Sequence, residues 1–205
     1  MKKLFVAGAA TLSATPALAH HPMGGETPAT LAQGLLSGIG HPVLGLDHLA
    51  FVVAVGIAAA LAGRRFLLPL AFIATTILGT LVHLAAIDLL AVEWLIAASV
   101  ALVGLMIASG RTFGLAAYGA AFAVAGLFHG FAYGEAVFGA ETTPVLAYLA
   151  GFGLTQYAIA VVAGAAIVGG IGNAARAVPA RVAGGMVAGA GLMIFGEKVI
   201  EATFA

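Results

Sequence analysis

Residues 144–170 read PVLAYLAGFGLTQYAIAVVAGAAIVGG, 27 positions without an aspartate, glutamate, lysine or arginine. As a helix rising about 1.5 Å per residue, this stretch is about 40 Å long, more than the ~30 Å hydrocarbon core of a bilayer. It predicts a membrane-spanning helix. Working outward, further apolar runs lie at 43–62, 66–88, 92–109 and 113–130 before it and at 180–203 after it. Gly63-Arg64-Arg65, Gly110-Arg111-Thr112 and the stretch from Asn173 to Pro179 interrupt the pattern with polar and helix-breaking residues. All connections are short, so the expected fold class is all-α: a polytopic membrane helical bundle of six transmembrane helices, with no soluble module.

Composition supports this. Of 205 residues, 62% are hydrophobic and 8% charged, whereas soluble domains are about one quarter charged. The 29 glycines suit a bundle in lipid, where small residues let helices approach closely. Net charge is zero by formal count, so nothing argues for nucleic acid as a partner. There is no cysteine. Disulfides and thiolate metal sites are excluded, and any metal must be held by imidazole, carboxylate, thioether or backbone groups.

The first residues read as a cleavable signal peptide. Lys2 and Lys3 form a positive end, Leu4 to Leu12 a short apolar stretch, and Ala17-Leu18-Ala19 a cleavage site. The apolar run is too short for a spanning helix of about 20 residues. The expected domains are thus a signal peptide at 1–19 and a transmembrane domain at 20–205, with His20 as the mature N-terminus. If export places that terminus outside, the loops after spans one, three and five face the cytoplasm. Those loops hold Arg64, Arg65, Arg111, Arg176 and Arg181, which is every arginine in the chain. The other side carries Asp88, Glu93, Glu135 and Glu141, with Glu197, Lys198 and Glu201 near it. The expected localisation is a bacterial inner membrane, multi-pass. No convincing internal repeat is visible.

Orientation lets the intramembrane polar residues be sorted by depth. His41, Asp47 and His48 lie at the outer start of span one, His83 in the outer half of span two, and His129 and Glu135 at the outer end of span four. Burying an aspartate at the bilayer centre costs about 2.5 to 3.5 kcal/mol, so ionisable residues in spans usually face one another or a water-filled path. A shared level on three helices predicts a common metal site of His41, Asp47, His48, His83, His129 and Glu135.

The first motif is His41-Pro42-Val43-Leu44-Gly45-Leu46-Asp47-His48. On a straight helix His41 and His48 are nearly eclipsed while Asp47 points roughly 120° away, so the three cannot converge. Pro42 suits a first helical turn and Gly45 a distortion, leaving His41 in a lead-in segment with Asp47 and His48 facing inward. Asp47 is either a ligand or an acceptor orienting a histidine ring. The second motif is Phe128-His129-Gly130-Phe131-Ala132-Tyr133-Gly134-Glu135. Gly130 and Gly134 would let the helix end and the carboxylate fold back.

Thr76, Thr80 and His83 make a polar stripe on span two, and the bland reading has the threonines bonding to their own backbone. Weaker candidates are His20 and His21 as a capture pair, Tyr148, Thr155 and Gln156 as a polar face on span five, and Glu197 as a snorkelling side chain. Met186 and Met193 read as packing, and Gly185 with Gly189 as a small-xxx-small contact.

Together the two motifs, H-P-x-x-G-x-D-H and F-H-G-x-A-x-G-x-E, resemble the hallmarks of the hydrogenase and urease accessory permeases, the HupE/UreJ family. The first is also similar to the histidine and aspartate motif of the broader nickel/cobalt transporters. The resemblance covers most of the chain. It implies nickel uptake, with cobalt as a relative's substrate, and singles out His41, Asp47, His48, His129 and Glu135; His83 is added from depth and spacing.

Imidazole with carboxylate also suits copper(II) and zinc, so such ligands do not select nickel by affinity alone. No cofactor is expected besides the transported ion, and no P-loop for ATP is present. The protein is read as a permease and not an enzyme, with membrane lipid and the metal ion as partners and a homo-oligomer allowed. Two rival readings are an intramembrane zinc-dependent hydrolase using the same cluster, with Asp47 or Glu135 as base, and a metal-binding membrane subunit that moves no ions.

Overall fold

The computed structural model describes residues 26–111, 113–170 and 178–204, for 168–170 the backbone alone. The signal peptide, His20, His21, Thr112 and Arg176 lie outside the described residues. Within them the chain is helical, with no strand. The helices are α1 (Leu31–Leu44), α2 (Leu46–Leu61), α3 (Leu67–Leu84), α4 (Val92–Ala108), α5 (Leu115–Gly134), α6 (Thr142–Gly170) and α7 (Val178–Phe204). A 3-10 turn, Glu135–Val137, follows α5.

By length and composition α3, α5, α6 and α7 are each able to cross a membrane, and a fifth crossing results if α1 and α2, bent by 79° at their junction, are one broken span. Helix α4 is apolar but only 17 residues long. Large apolar side chains point outward on the helices, among them Leu78, Leu102, Leu154 and Val162, each more than half exposed. In water such a surface would be an aggregation hazard; in lipid it is the required one.

Helix α1 was not expected. The reading above began the first span at Val43 and gave Pro42 a first helical turn, but Pro42 lies inside the last turn of α1. The start of α1 is a capping box: Gln33 N–H donates to Thr30 Oγ1 (3.2 Å) and Thr30 N–H donates to Gln33 Oε1 (3.1 Å). The end follows from Pro42, which has no N–H to continue the ladder, and from Gly45, which is extended at φ −78°, ψ 107°.

Glycines fix the neighbours. A Cβ on Gly34 would meet Pro144, on Gly38 the backbone of Tyr148 and Phe152, and on Gly56 the backbone of Ala160, so α1 and α2 both run along α6. Gly38 faces a residue 110 positions on and Gly56 one 104 positions on. The register slips by six residues across the break, and the bend at Gly45 takes up this slack. Gly126 against Phe72 and Thr75, Gly130 against Thr76, and Gly134 against His83 bring α3 and α5 together side by side. Gly104, Gly184 and Gly191 do the same for α4 and α7, which run in opposite directions.

Two expectations are corrected by these contacts. Gly130 and Gly134 do not end their helix, because α5 continues through Gly134; they leave room for α3. Gly185 and Gly189 have nothing within 4 Å of a built Cβ, and Met186 and Met193 are 72% and 61% exposed. The packed face of α7 is the neighbouring one, carrying Gly184, Val187, Ala188 and Gly191.

The core divides in two. Phe51, Val55, Phe72, Val100, Val103 and Phe122 belong to the larger cluster, and Tyr133, Val137, Tyr148 and Phe152 to a smaller one around His41. One end of the bundle carries arginine: Arg64 and Arg65 share a groove with Leu115, and Arg181 Nε donates to Ala108 O (3.0 Å). At the opposite end Lys198 pairs with Glu93 and, at 3.0 Å, with Glu201.

Candidate metal centre

Three histidines from either side of the α1–α2 break and from α5 lie buried together. His41 is 3% exposed, His48 2% and His129 0%. The break makes this possible: on a continuous helix His41 and His48 would stack along one side, whereas their ring centroids here are 5.5 Å apart and tilted. Gly45 is required at the break because a Cβ there would lie 2.6 Å from the His48 ring. The rings of His48 and His129 are also 5.5 Å apart, and their Nδ1 atoms are 3.3 Å apart. Phe51 stacks on His129 and Tyr133 lies edge-on to both His41 and His48.

The hydroxyl of Ser99 fits one tautomer of His129. Ser99 on α4 donates its single hydroxyl proton to Ile96 O (2.7 Å), so at 3.1 Å its oxygen accepts from His129 Nε2–H. His129 Nδ1 then carries a lone pair, and that is the atom facing His48. The Tyr148 hydroxyl donates to Tyr133 O (3.0 Å) and lies 3.0 Å from His41 Nδ1. Bare nitrogens are what a metal requires, and ring orientation by a second partner is the usual device at metal-ligating histidines.

Asp47 sits at the rim, its side chain 18% exposed and Oδ2 3.7 Å from His48 Nδ1. That distance is too long for a hydrogen bond. His83 stands apart from the three histidines. Its ring lies against Phe131 and Phe138, over the space left by Gly134. Thr76 and Thr80 on its stripe are fully buried; both bond their own helix backbone, Thr76 at Ile73 O (2.8 Å) and Thr80 at Thr76 O (3.1 Å), and Thr80 also lies 2.8 Å from Gly130 O on α5. Glu135 is exposed in the 3-10 turn at the acidic end. Among the described residues no three of the histidines, aspartates and glutamates are disposed to hold one ion together as they stand.

Sequence reasoning missed Ser99, Phe51 and Tyr133 and undervalued Tyr148. One serine in an apolar helix carries no signal of its own, because serine commonly bonds back to its own helix, as Ser99 also does.

Helices with outward apolar faces, joined by glycine contacts around buried histidines, define a helical membrane protein with an imidazole-rich interior. The chain belongs to the HupE/UreJ protein family, whose profile matches residues 8–194. It is similar to Protein HupE of Rhizobium leguminosarum bv. viciae, with 34% identity over 180 residues, covering 87% of this chain and 90% of that protein. No solved structure gives a significant match.

Proposed function

We propose that this protein is a permease that carries a divalent transition metal, nickel foremost and cobalt next, into the cytoplasm. Six crossings make up the bundle, α4 being the shortest and α1 with α2 forming the first. In this reading the exported N-terminus and the acidic end face outward and the arginine end faces the cytoplasm, following the positive-inside rule. The observation that carries the proposal is the His48 and His129 pair, with Nδ1 atoms 3.3 Å apart in a buried site.

Two imidazole nitrogens bound to one ion at about 2.1 Å, with roughly 105° between the bonds, are themselves about 3.3 Å apart. Without metal, the bare Nδ1 of His129 accepts the proton of His48 Nδ1. A cation arriving between the rings takes the place of that shared proton, which moves to the other His48 nitrogen or to water. Asp47 at the rim offers a carboxylate oxygen, and His41 offers a third imidazole. Glu135, exposed at the acidic end, attracts the ion towards the site. A site with two fixed nitrogens and the remaining positions filled by water or by moving ligands binds loosely enough to release, as permeation requires.

No ATP-binding element is needed. A divalent cation gains about 4.6 kcal/mol per 100 mV on entering a negative interior, twice the value for one charge. Affinity order alone does not favour nickel over copper or zinc, so selection rests on geometry and on supply. The test is uptake of radioactive nickel into proteoliposomes containing the purified protein. Native protein is expected to accumulate nickel while the His48→Ala protein at equal abundance does not; equal accumulation would reject the proposal.

A further inference from the structure

Gln156 is fully buried near the middle of α6, and neither its amide oxygen nor its amide nitrogen has a hydrogen-bond partner among the described residues. Tyr133, whose ring borders His41 and His48, likewise has a buried hydroxyl without a partner. Burying an amide without hydrogen bonds costs roughly 1–3 kcal/mol in proteins and more against hydrocarbon. A glutamine that merely joined two helices would show the bond that joins them, and this one shows none. Tyr148, Phe152, Gln156 and Ala160 follow one another at four-residue spacing on the buried face of α6. The first bonds His41, and the last abuts Gly56 of α2. Gln156 is eight residues beyond Tyr148, about 12 Å further along the axis towards the arginine end. The other buried polar side chains among the described residues are Ser37, His41, His48, Thr76, Thr80 and His129, and the tyrosine Tyr118 is buried near the start of α5.

We propose that Gln156 is the inner station of the ion path. Its amide oxygen meets the divalent cation, still carrying water, after the cation leaves His48 and His129. An amide suits this place better than a carboxylate: its oxygen replaces a water ligand without a full negative charge to trap the ion. The inference rests on the permease reading above and adds to it a site that the two histidine motifs do not contain.

The chain has no cysteine, so Gln156→Cys introduces a single thiol that is read without background. In proteoliposomes, a small water-soluble methanethiosulfonate reagent is expected to modify Gln156→Cys, and nickel to slow the modification. Ala160→Cys, one turn further on the same buried face, is expected to stay unmodified. Gln156→Leu, which keeps the bulk and removes the amide, is expected to retain nickel binding at the histidines and lower nickel uptake by roughly 10- to 100-fold, the worth of one hydrogen bond to a charged group. A Gln156→Cys thiol as inert as Ala160→Cys, or Gln156→Leu uptake at the native rate, would overturn the inference. If the native protein moves no nickel, the permease reading itself fails; if it does and Gln156→Leu matches it, only the inner station fails.

Discussion

His48 and His129, from helices α2 and α5 and 81 positions apart in sequence, bring their Nδ1 atoms to 3.3 Å in a site closed to solvent. A proton or a metal ion can occupy the space between two such nitrogens, and the permease reading depends on their exchange. Replacing either ring by alanine is expected to lower nickel uptake at least as much as losing an outer-shell partner does, roughly 10- to 100-fold. Nickel influx at matched membrane abundance checks it.

Ser99 and Tyr148 act through the rings they orient. Ser99→Ala removes the hydroxyl beside His129 Nε2, and Tyr148→Phe removes the one beside His41 Nδ1. Each variant is expected to weaken nickel affinity about 10-fold while leaving the melting temperature close to native. Nitrogen-15 chemical shifts of the histidine rings give a direct readout, since a change of tautomer moves them and a packing defect alone does not.

The glycine contacts predict a sharp contrast along the helices. Gly130→Ala drives a methyl into the backbone of Thr76 and Gly56→Ala into that of Ala160, and each is expected to destabilise the bundle by about 1–3 kcal/mol through overpacking. Gly189→Ala points its methyl into open space and is expected to be neutral within about 0.5 kcal/mol. Unfolding of the detergent-solubilised proteins measures all three.

Much of the architecture was legible because lipid imposes a simple rule: backbone groups must bond within their own helix, so long uncharged runs mark helices. What that rule does not mark is α1. Its 14 residues are too few to register as a span, and its capping box at Thr30 and Gln33 is a local signal that a search for apolar runs passes over. The faces were harder to read than the helices. Gly184 packs and Gly185 does not, although one position separates them, because 100° of rotation decides which meets α4. Of the candidate residues, motif spacing pointed to His41, His48 and His129, which the structure buries together, and Gly45 was read as the point of distortion. The sequence did not show that the bend there reaches 79°, or that His83 and Glu135 stand apart from the three rings, because spacing along a chain does not fix the angle between two helices.

Glu135 therefore carries a different expectation from the buried pair. Charge close to the surface raises the local concentration of a cation without holding it. Glu135→Gln is expected to raise the half-saturating nickel concentration by about two- to five-fold, the worth of one exposed charge, with the saturating rate near native. Uptake as a function of nickel concentration separates the two quantities, and a collapse of the saturating rate would instead move Glu135 into the binding site.

The most direct measurement is X-ray absorption at the nickel edge on the metal-loaded protein. Two imidazole nitrogens at about 2.1 Å, a typical metal-to-imidazole distance, are expected in the native protein, and one in His129→Ala. A spectrum with oxygen neighbours alone, unchanged by the His129→Ala substitution, would contradict the claim that the ion rests between His48 and His129.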